Sequence, residues 1–449
     1  MTRSAVKTCV LAYSGGLDTS IIIPWLRETY GCRVVAFIAD VGQEEDLDAA
    51  RRKALRTGAA DAVVEDLRET FLRDYVFPAL QAGAVYEGGY LLGTALARPP
   101  IAKRQAEYAL EIGADALAHG CTGKGNDQVR FELAYKAVAP GLRVIAPWRE
   151  WPIRSREEAL AYAVARGVQV DATPGALFSR DANLWHTSHE GGILEDPSAS
   201  PPESMFQRTA SPEKCPGRGV DVAVGFARGI PVSLDGETLD PIALVTRLNR
   251  IAGAHGVGRA DLVESRVVGM KSRGVYETPA GTALHAAHGA LEGLTLDRET
   301  LRLKAQLSVA FADLVYAGQW FTPIREALTA FVSSTQRFVT GSVTLRLRQG
   351  TVAVRGRASS ESLYDASLGS FTMRDDYDQM DAAGFINIVG LPAVTRARAR
   401  ARGEGDGAGV GAKTRSRAPA AATTGADSDA RTPEPARRPA RAARPAARV

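Results

Sequence analysis

Short apolar runs and amphipathic stretches alternate along roughly the first 170 residues. The stretches between the runs have helical periodicity, as at Glu45–Arg56 and Pro100–Ile112. Because the apolar runs are nearly continuous, we expect helices to cover both faces of a sheet. The pattern predicts an α/β fold with a doubly wound parallel sheet over residues 1–172. The predicted strands are Thr8–Tyr13, Arg33–Ala39, Asp61–Val64, Ala114–His119 and Arg143–Ala146.

The pattern changes after Ala172. A stretch rich in Gly, Pro and Ser at Pro197–Pro216 predicts a surface loop. Beyond it, strands and helices are segregated, and Gln349-Gly350 marks a hairpin turn. We therefore predict a larger α+β domain over residues 173–395. Its expected strands are Val220–Phe226, Pro231–Leu234, Ser342–Arg348 and Thr351–Arg355, and its expected helices are Pro241–Ala254, Thr282–Glu292 and Asp297–Ala317.

The C-terminal segment, residues 396–449, differs in composition from the rest. From about Gly403 it contains mostly Ala, Arg, Pro, Gly, Thr and Ser, which cannot bury enough apolar surface to offset the entropy of ordering. We predict a short arm followed by a disordered basic tail. Thr395–Val449 contains 13 Arg/Lys and 5 Asp/Glu, a net charge of +8. Since the whole chain has a net charge of +4, the rest of the chain has a net charge of −4. A basic tail can contact nucleic acid or an acidic partner, but a solvated extension is the simpler interpretation.

The remaining composition indicates a cytoplasmic protein. The four cysteines are widely spaced without a CxxC pair, so neither a disulfide framework nor a zinc site is expected. No apolar run reaches the ~20 residues of a membrane span. The N-terminus lacks the long apolar core and cleavage site of a signal peptide.

A glycine-rich loop, Ala12–Ser20, follows the first predicted strand and opens a helix; it reads AYSGGLDTS. Paired glycines let the backbone approach an anion closely, and the N–H groups of a helix start favour negative charge. No GKS or GKT closes the loop, so it is not a Walker loop. The alternative is a glycine turn before a capped helix. Pro24 lies inside the predicted helix and predicts a kink or a distorted first turn.

A second polar segment, His119–Glu132, reads HGCTGKGNDQVRFE. Three glycines after a strand end predict a tight loop, and Asn126 or Asp127 is expected to cap the next helix. Asp127 can accept from an ammonium group, and Arg130 can form paired bonds with a carboxylate. The alternative is a surface pair between these two side chains. Five polar side chains gather where open α/β sheets bind ligands, namely Thr122, Lys124, Asn126, Asp127 and Arg130.

The loop SGGLDTS resembles the pyrophosphate loop of the N-type ATP pyrophosphatases, which cleave ATP between the α and β phosphates. Other segments resemble the argininosuccinate synthase family within that superfamily. They are YEGGYLLGTALARP at Tyr86–Pro99, HGCTGKGNDQVRFE at His119–Glu132, GAHGVGR at Gly253–Arg259, VESR at Val263–Arg266 and GMKSRGVYETP at Gly269–Pro279. The resemblance extends from about Val6 to Arg400.

This resemblance implies an adenine nucleotide α-hydrolase-like domain joined to a synthetase domain. It implies a carbon–nitrogen ligase of arginine biosynthesis that condenses citrulline with aspartate through a citrullyl-adenylate, releasing AMP and pyrophosphate. Mg²⁺ is expected on the ATP phosphates, with help from Asp18 and without a cage of protein ligands. The family is usually a homotetramer, in which Leu391–Arg402 would begin an arm that embraces a neighbour.

The family also implies a role for each matching residue. Those implied to hold ATP are Ala12, Tyr13, Ser14, Gly15, Gly16, Leu17, Asp18, Thr19, Ser20, Ala39 and Gly120. Those implied to hold citrulline are Tyr90, Thr94, Asn126, Arg130, Ser179, Ser188, Glu264 and Tyr276. Thr122, Asn126 and Asp127 are implied to hold aspartate, and the catalytic set is Asp18, Lys124, Asp127 and Arg130.

Some features depart from the family or remain open. Ala95 stands where a Ser is often found, and His189 where some members have Tyr. His119 suits either proton transfer or packing at a strand end. A tRNA thiolase is one alternative, but such enzymes use paired cysteines, and Cys9 and Cys32 lie in or beside predicted strands. A non-catalytic nucleotide- or nucleic-acid-binding protein is another, although the −4 charge of the folded part disfavours nucleic acid.

Overall fold

The computed structural model describes residues 6–169, 178–370 and 377–407. Met1–Gly369 forms one compact unit, and Ser370–Val449 is a second. The predicted boundary between residues 172 and 173 lies outside the described residues, as does the predicted tail from residue 408 onward. In the second unit, helix α13 spans Asp381–Gly407. The helix thus continues past Gly403, where we expected disorder to begin.

The N-terminal half of the first unit is built on a five-stranded parallel sheet with strand order β3-β2-β1-β4-β5. Its strands are β1 Thr8–Ala12, β2 Arg33–Asp40, β3 Asp61–Asp66, β4 Ala116–Ala118 and β5 Arg143–Ile145. Its helices are α1 Leu17–Tyr30, α2 Leu47–Arg56, α3 Arg68–Phe71, α4 Phe77–Ala82, α5 Gly93–Glu111, α6 Asp127–Val138, α7 Pro147–Glu150 and α8 Arg156–Ala165, with a π-helical turn at Leu72–Val76.

Helices cover both faces of this sheet. Val10 of β1 joins a core that includes Ala106 of α5, whereas Cys9 and Leu11 join a second core that includes Ile22 of α1. Successive strand residues point to opposite faces, so an apolar run serves both cores at once. The predicted α/β class with a doubly wound parallel sheet is confirmed.

The C-terminal half contains two antiparallel sheets. One has the strand order β10-β9-β8-β13-β14 and the other β11-β12-β7-β6. The strands are β6 Ser179–Ala182, β7 Thr187–Glu190, β8 Val220–Ala227, β9 Ile230–Leu234, β10 Glu237–Thr238, β11 Arg259–Ser265, β12 Lys271–Glu277, β13 Gly341–Arg348 and β14 Thr351–Ala358. The helices are α9 Pro241–Ala254, α10 Pro279–Thr295, α11 Arg298–Tyr316 and α12 Pro323–Thr335, with 3₁₀ turns at Gly192–Glu195, Glu203–Met205 and Gln336–Phe338.

Two local predictions need correction. Helix α5 begins at Gly93, not at Pro100, and contains Pro99 and Pro100 in its interior. Buried packing along its first two turns, including Thr94, stabilises the helix despite the missing proline N–H groups. Helix α1 runs through the buried Pro24 to Tyr30, and the kink or distorted first turn expected there stays a prediction.

The second correction concerns Pro197–Pro216, which is not simply a surface loop. Met205 in its middle is fully buried. The backbone N–H groups of Gln207, Arg208 and Thr209 all donate to the carboxylate of Glu277 at the end of β12. A buried carboxylate needs such donors, and the segment supplies them.

None of the described helices is both long enough and apolar enough to cross a membrane.

Candidate active site

A cavity of about 950 Å³ opens at the carboxyl edge of the parallel sheet. The sheet β11-β12-β7-β6 supplies its opposite wall through Glu264, Tyr276, Glu190 and Asp181. Most of the predicted site residues line this cavity. They are Ala12, Tyr13, Ser14, Gly15, Gly16, Leu17, Asp18, Thr19, Ala39, Tyr90, Thr94, Gly120, Thr122, Asn126, Asp127, Arg130, Ser179, Glu264 and Tyr276.

Three predicted residues do not line the cavity. Lys124 is exposed, and its backbone carbonyl accepts from Arg266. Ser188 is buried and pairs with Tyr276 across β7 and β12. Ser20 is buried beneath the glycine-rich loop, where its hydroxyl hydrogen-bonds the Tyr13 hydroxyl at 3.0 Å.

The glycine-rich loop has the backbone of an anion cradle. Gly15 has φ +80°, and Gly16 is the N-cap of α1 in an extended conformation without a side-chain cap. Without such a cap, N–H groups of the first turn are available to a ligand. Ser14 and Thr19 hold the loop through a 3.1 Å hydroxyl–hydroxyl hydrogen bond. The alternative interpretation, a helix start capped by a side chain, does not apply to α1.

The strand order reverses direction between β1 and β4, and ligands bind at such a switch point in open α/β sheets. The loop after β1 and the loop after β4 are in close contact there. A Cβ on Gly120 would lie 2.9 Å from Cγ2 of Thr19. A side chain at residue 120 would therefore press against Thr19, and glycine allows the close contact.

Asp127 lies between two arginines at the start of α6. Its Oδ2 accepts from Arg98 Nε at 2.8 Å, and its Oδ1 accepts from Arg130 Nη1 at 2.9 Å. Burial alone would raise the pKa of Asp127, but the two guanidinium groups outweigh it and lower this pKa. Asp127 therefore does not cap α6 through its side chain, and neither does Asn126.

Arg98 extends this network to the wall sheet. Its Nη2 donates to Asp181 Oδ2 at 2.8 Å, and the Thr94 hydroxyl donates to the same oxygen at 3.0 Å. The Thr94 oxygen also lies 2.9 Å from Nε2 of the buried His186. Since the single hydroxyl proton of Thr94 points to Asp181, Nε2 carries the imidazole proton. Helix α5, helix α6 and strand β6 are thus held together at one edge of the cavity.

A second cluster surrounds Glu264 on β11. Its carboxylate accepts from the Tyr316 hydroxyl at 2.6 Å and from the Tyr276 hydroxyl at 2.8 Å. Asn126 Nδ2 donates to the Tyr316 hydroxyl at 2.9 Å, and Asn126 Oδ1 accepts from the backbone N–H of Val267. The side chain of Asn126 therefore connects the α6 start to α11 and to the β11–β12 turn.

Two other groups at the cavity, Glu190 and Cys121, have raised pKa values. Burial raises the pKa of Glu190, and neighbouring Asp127, Glu264 and Asp181 act in the same direction, against the attraction of Arg266. Burial likewise raises the pKa of the Cys121 thiol, so it is a poor nucleophile. His119 is packed at the strand end, where Nε2 lies 3.1 Å from Glu132 and Nδ1 accepts from the Cys121 N–H.

We did not predict four residues of this site from the sequence. Arg98, Asp181 and Lys53 line the cavity, and Tyr316 contacts the cavity residue Glu264. Arg98 lies inside the Tyr86–Pro99 segment. It is the first charged residue of α5, after five small or apolar residues, so its charge was an available signal. Asp181 and Tyr316 carry no local signal, because their contacts join distant parts of the chain.

Comparison with known proteins agrees with this geometry. Residues 8–169 match the model of the arginosuccinate synthase N-terminal HUP domain, and residues 178–396 match that of the arginosuccinate synthase C-terminal domain. The argininosuccinate synthase of Roseiflexus castenholzii is 58% identical over 395 residues, which are 88% of this chain and 98% of the relative.

Two further relatives match over most of this chain. The argininosuccinate synthase of Koribacter versatilis is 57% identical over 388 residues, covering 86% of this chain and 96% of the relative. The chloroplastic argininosuccinate synthase of Arabidopsis thaliana is 53% identical over 396 residues, covering 88% of this chain and 80% of the relative. Both halves of the cavity lie within the matched residues, and the chain belongs to the argininosuccinate synthase family.

Proposed function

We propose that the chain condenses citrulline with aspartate, using ATP, to give argininosuccinate, AMP and pyrophosphate. Family membership makes it a nucleotide-binding carbon–nitrogen ligase of arginine biosynthesis. The observation that carries the full reaction is that the glycine-rich loop, the Asp127 network and the Glu264 cluster all face one cavity. Three substrates bound there would have their reacting groups in one space.

ATP is assigned to the edge of the parallel sheet. The loop Ala12–Ser20 would cradle the β and γ phosphates, with Ala39 and Gly120 beside the remainder of the nucleotide. The uncapped start of α1 supports this assignment, because its N–H groups and dipole favour an anion. Ser20 would act indirectly here, through its buried contact with Tyr13.

Citrulline is assigned to the Glu264 side of the cavity. Glu264 would bind its ammonium group and Arg130 its carboxylate, with Asn126 between them. The remaining proposed contacts are Tyr90, Thr94, Ser179 and Tyr276. Ser188 would support this set from behind, because it pairs with Tyr276 in the sheet. This arrangement would direct the ureido end toward the nucleotide.

Aspartate is assigned to Thr122, Asn126 and Asp127. A carboxylate with a lowered pKa is a weak base, so Asp127 would orient the substrate ammonium by charge and would not store its proton. Lys124 is exposed beside this loop, where a flexible cation could reach a substrate carboxylate.

The proposed reaction has two steps. The ureido oxygen of citrulline bonds to the α-phosphorus of ATP while the bond to the β-phosphate oxygen breaks, and pyrophosphate leaves. The aspartate amine then attacks the activated ureido carbon, AMP leaves with the former ureido oxygen, and the amine loses a proton. Positioning and charge stabilisation by Asp18, Lys124, Asp127 and Arg130 would supply most of the catalysis.

Magnesium would be held mainly by the phosphates. Within the described part of the chain, no group of three or more His, Cys, Asp or Glu side chains is arranged to hold a metal. The carboxylate of Asp18 at the start of α1 fits a metal ion carried on nucleotide phosphates, since Mg²⁺ typically keeps few protein ligands. When bound, the ion would neutralise charge on the phosphates.

We further propose residues 1–172 and 173–395 as the two functional domains, and a cytoplasmic homotetramer as the working form. Helix α13 supports the oligomer. It exposes apolar side chains that a second copy of the chain would cover, namely Phe385, Ile386, Ile388, Val389 and Leu391. Sedimentation of the full chain, compared with a Phe385→Glu variant, tests this assembly.

A tRNA thiolase fits less well. Cys9 and Cys32 are buried, and burial raises the pKa of both thiols. A nucleic-acid-binding protein that uses its basic tail would lose function when Gly403–Val449 is deleted, whereas the ligase would keep its catalysis.

Oxygen labelling tests the proposed adenylate. Citrulline labelled with ¹⁸O in the ureido group should transfer the label to AMP during turnover. Unlabelled AMP formed alongside argininosuccinate would exclude attack by the ureido oxygen and with it the proposed intermediate.

A further inference from the structure

Helix α2 packs against the glycine-rich loop. Lys53 Nζ donates a hydrogen bond to the carbonyl oxygen of Gly15 at 2.8 Å. Ala50, one turn earlier, lies beneath the same glycine, where a Cβ added to Gly15 would be 3.3 Å from the Ala50 Cβ. Lys53 and Arg56 are three residues apart, so they share a face of α2, and both line the cavity.

The contact at Gly15 fixes the direction of a neighbouring donor. The Gly15 carbonyl and the Gly16 N–H belong to one planar trans peptide, so they point in opposite directions. When Lys53 holds the carbonyl, the Gly16 N–H is directed to the other side, where Ser14 Oγ lies 3.5 Å away. Gly15 has φ +80°, a left-handed conformation that glycine adopts without steric cost.

Charge also favours a role for this lysine. The leaving pyrophosphate is highly anionic, and the loop itself carries the carboxylate of Asp18. Backbone N–H groups and a helix dipole supply only partial charges. The Lys53 ammonium places a full positive charge beside the loop, which these partial charges alone do not supply.

We propose that Lys53 is a further catalytic residue, which orients the Gly16 N–H and binds the leaving pyrophosphate. Arg56 adds charge to the same side of the site. This inference rests on the proposed placement of the ATP phosphates in the Ala12–Ser20 loop.

Inorganic pyrophosphate is the probe, because it reports on this subsite without citrulline or aspartate. Calorimetric titration and product inhibition are measured for the wild type, Lys53→Met, Lys53→Gln and Lys53→Arg. We expect the Met and Gln variants to bind pyrophosphate at least about tenfold more weakly, a change of about 1.4 kcal/mol, and Arg to recover part of the loss. The KM values of citrulline and aspartate should change by less than about twofold, because uniform substrate binding is untouched.

Lys103→Met is the matched control, since Lys103 pairs with Glu107 on the surface of α5 and should leave pyrophosphate binding unchanged. Thermal unfolding checks that each variant folds. Because two neutral substitutions are made at Lys53, the test still works if one of these variants does not fold. Wild-type pyrophosphate affinity in a folded Met or Gln variant would overturn the role of Lys53. Failure of pyrophosphate to compete with ATP in the wild type would instead overturn the placement of the phosphates.

Discussion

The carboxylate of Asp127 lies 2.8 Å from Nε of Arg98, a residue 29 positions earlier in the chain. The same guanidinium binds Asp181, so one side chain links the start of α6 to the wall sheet. The side chains of Arg98 and Asp127 are both more than two-thirds buried, and an ion pair in such a place is screened less than one on the surface. Arg98 therefore determines where the Asp127 carboxylate can lie when aspartate binds.

Replacing Arg98 tests this relationship. Arg98→Met should lower kcat/KM for aspartate by at least about tenfold, because Asp181 would lose its guanidinium partner and Asp127 would keep only that of Arg130. Steady-state kinetics with aspartate as the varied substrate measures the effect. Arg104→Met on the same helix is the control, since Arg104 pairs with Glu65 and Glu111 away from the cavity. Equal losses in the two variants would show that Arg98 acts only through stability.

Replacing Tyr316 should raise the KM for citrulline more than the KM for the other substrates. Tyr316→Phe removes the hydroxyl between Asn126 and Glu264, and a hydrogen bond to a charged group contributes about 1.5–3 kcal/mol. We expect the KM for citrulline to rise about tenfold or more, with the KM for ATP nearly unchanged. Tyr364→Phe, at an exposed tyrosine, is the matched control. An unchanged citrulline KM would remove Glu264 from the citrulline site.

Comparing Gly120 with Gly123 in the loop after β4 tests whether the close packing at Gly120 matters for activity. Gly120→Ala would place a Cβ 2.9 Å from Thr19, whereas a Cβ on Gly123 meets nothing within 4 Å. Gly120→Ala should therefore weaken ATP use by about tenfold, through displacement of the glycine-rich loop. Gly123→Ala should leave the KM for ATP unchanged. Similar kinetics for both variants would show that the contact of the two loops does not matter.

Glu277 should contribute to the free energy of unfolding in a way that depends on pH. Burial would raise its pKa, but His189, Gln207, Thr209 and Arg208 lower it from 4.5 to about 2. A lowered pKa means that the stabilisation is present above pH 4.5 and is lost as the pH falls toward 2. The shift corresponds to about 3 kcal/mol, since one pKa unit is about 1.36 kcal/mol.

The free energy of unfolding measured between pH 7 and pH 2 tests this contribution. Glu277→Gln should be less stable than the wild type at pH 7, and the difference should shrink below pH 4.5. Glu69→Gln, which removes an exposed partner of Arg73, should cost little at any pH. A difference for Glu277→Gln that does not depend on pH would contradict the lowered pKa.

The local pattern predicted the elements whose side chains pack mainly in the core. Helix α9 has the predicted bounds Pro241–Ala254, and β8, β13 and the strands of the parallel sheet lie where the apolar runs are. The family expected from the motifs is confirmed by both domain matches and by the relatives.

Strands β6, β7, β11 and β12 were not predicted, for a physical reason. Their residues line the cavity or contact its lining, so polar groups such as those of Ser179, Asp181 and Glu190 replace the expected apolar alternation. Contacts such as Tyr316–Glu264 and Lys53–Gly15 join segments 52 and 38 residues apart. Such pairs arise from tertiary folding and leave no spacing rule in the sequence.

Pyrophosphate release tests the central claim most directly. The purified chain is incubated with ATP and Mg²⁺, and citrulline and aspartate are added singly and together. The proposed reaction predicts sustained release of pyrophosphate and AMP only when both amino acids are present, with argininosuccinate formed in equal amount. Absence of release in every mixture, with the protein folded, would contradict the assigned reaction.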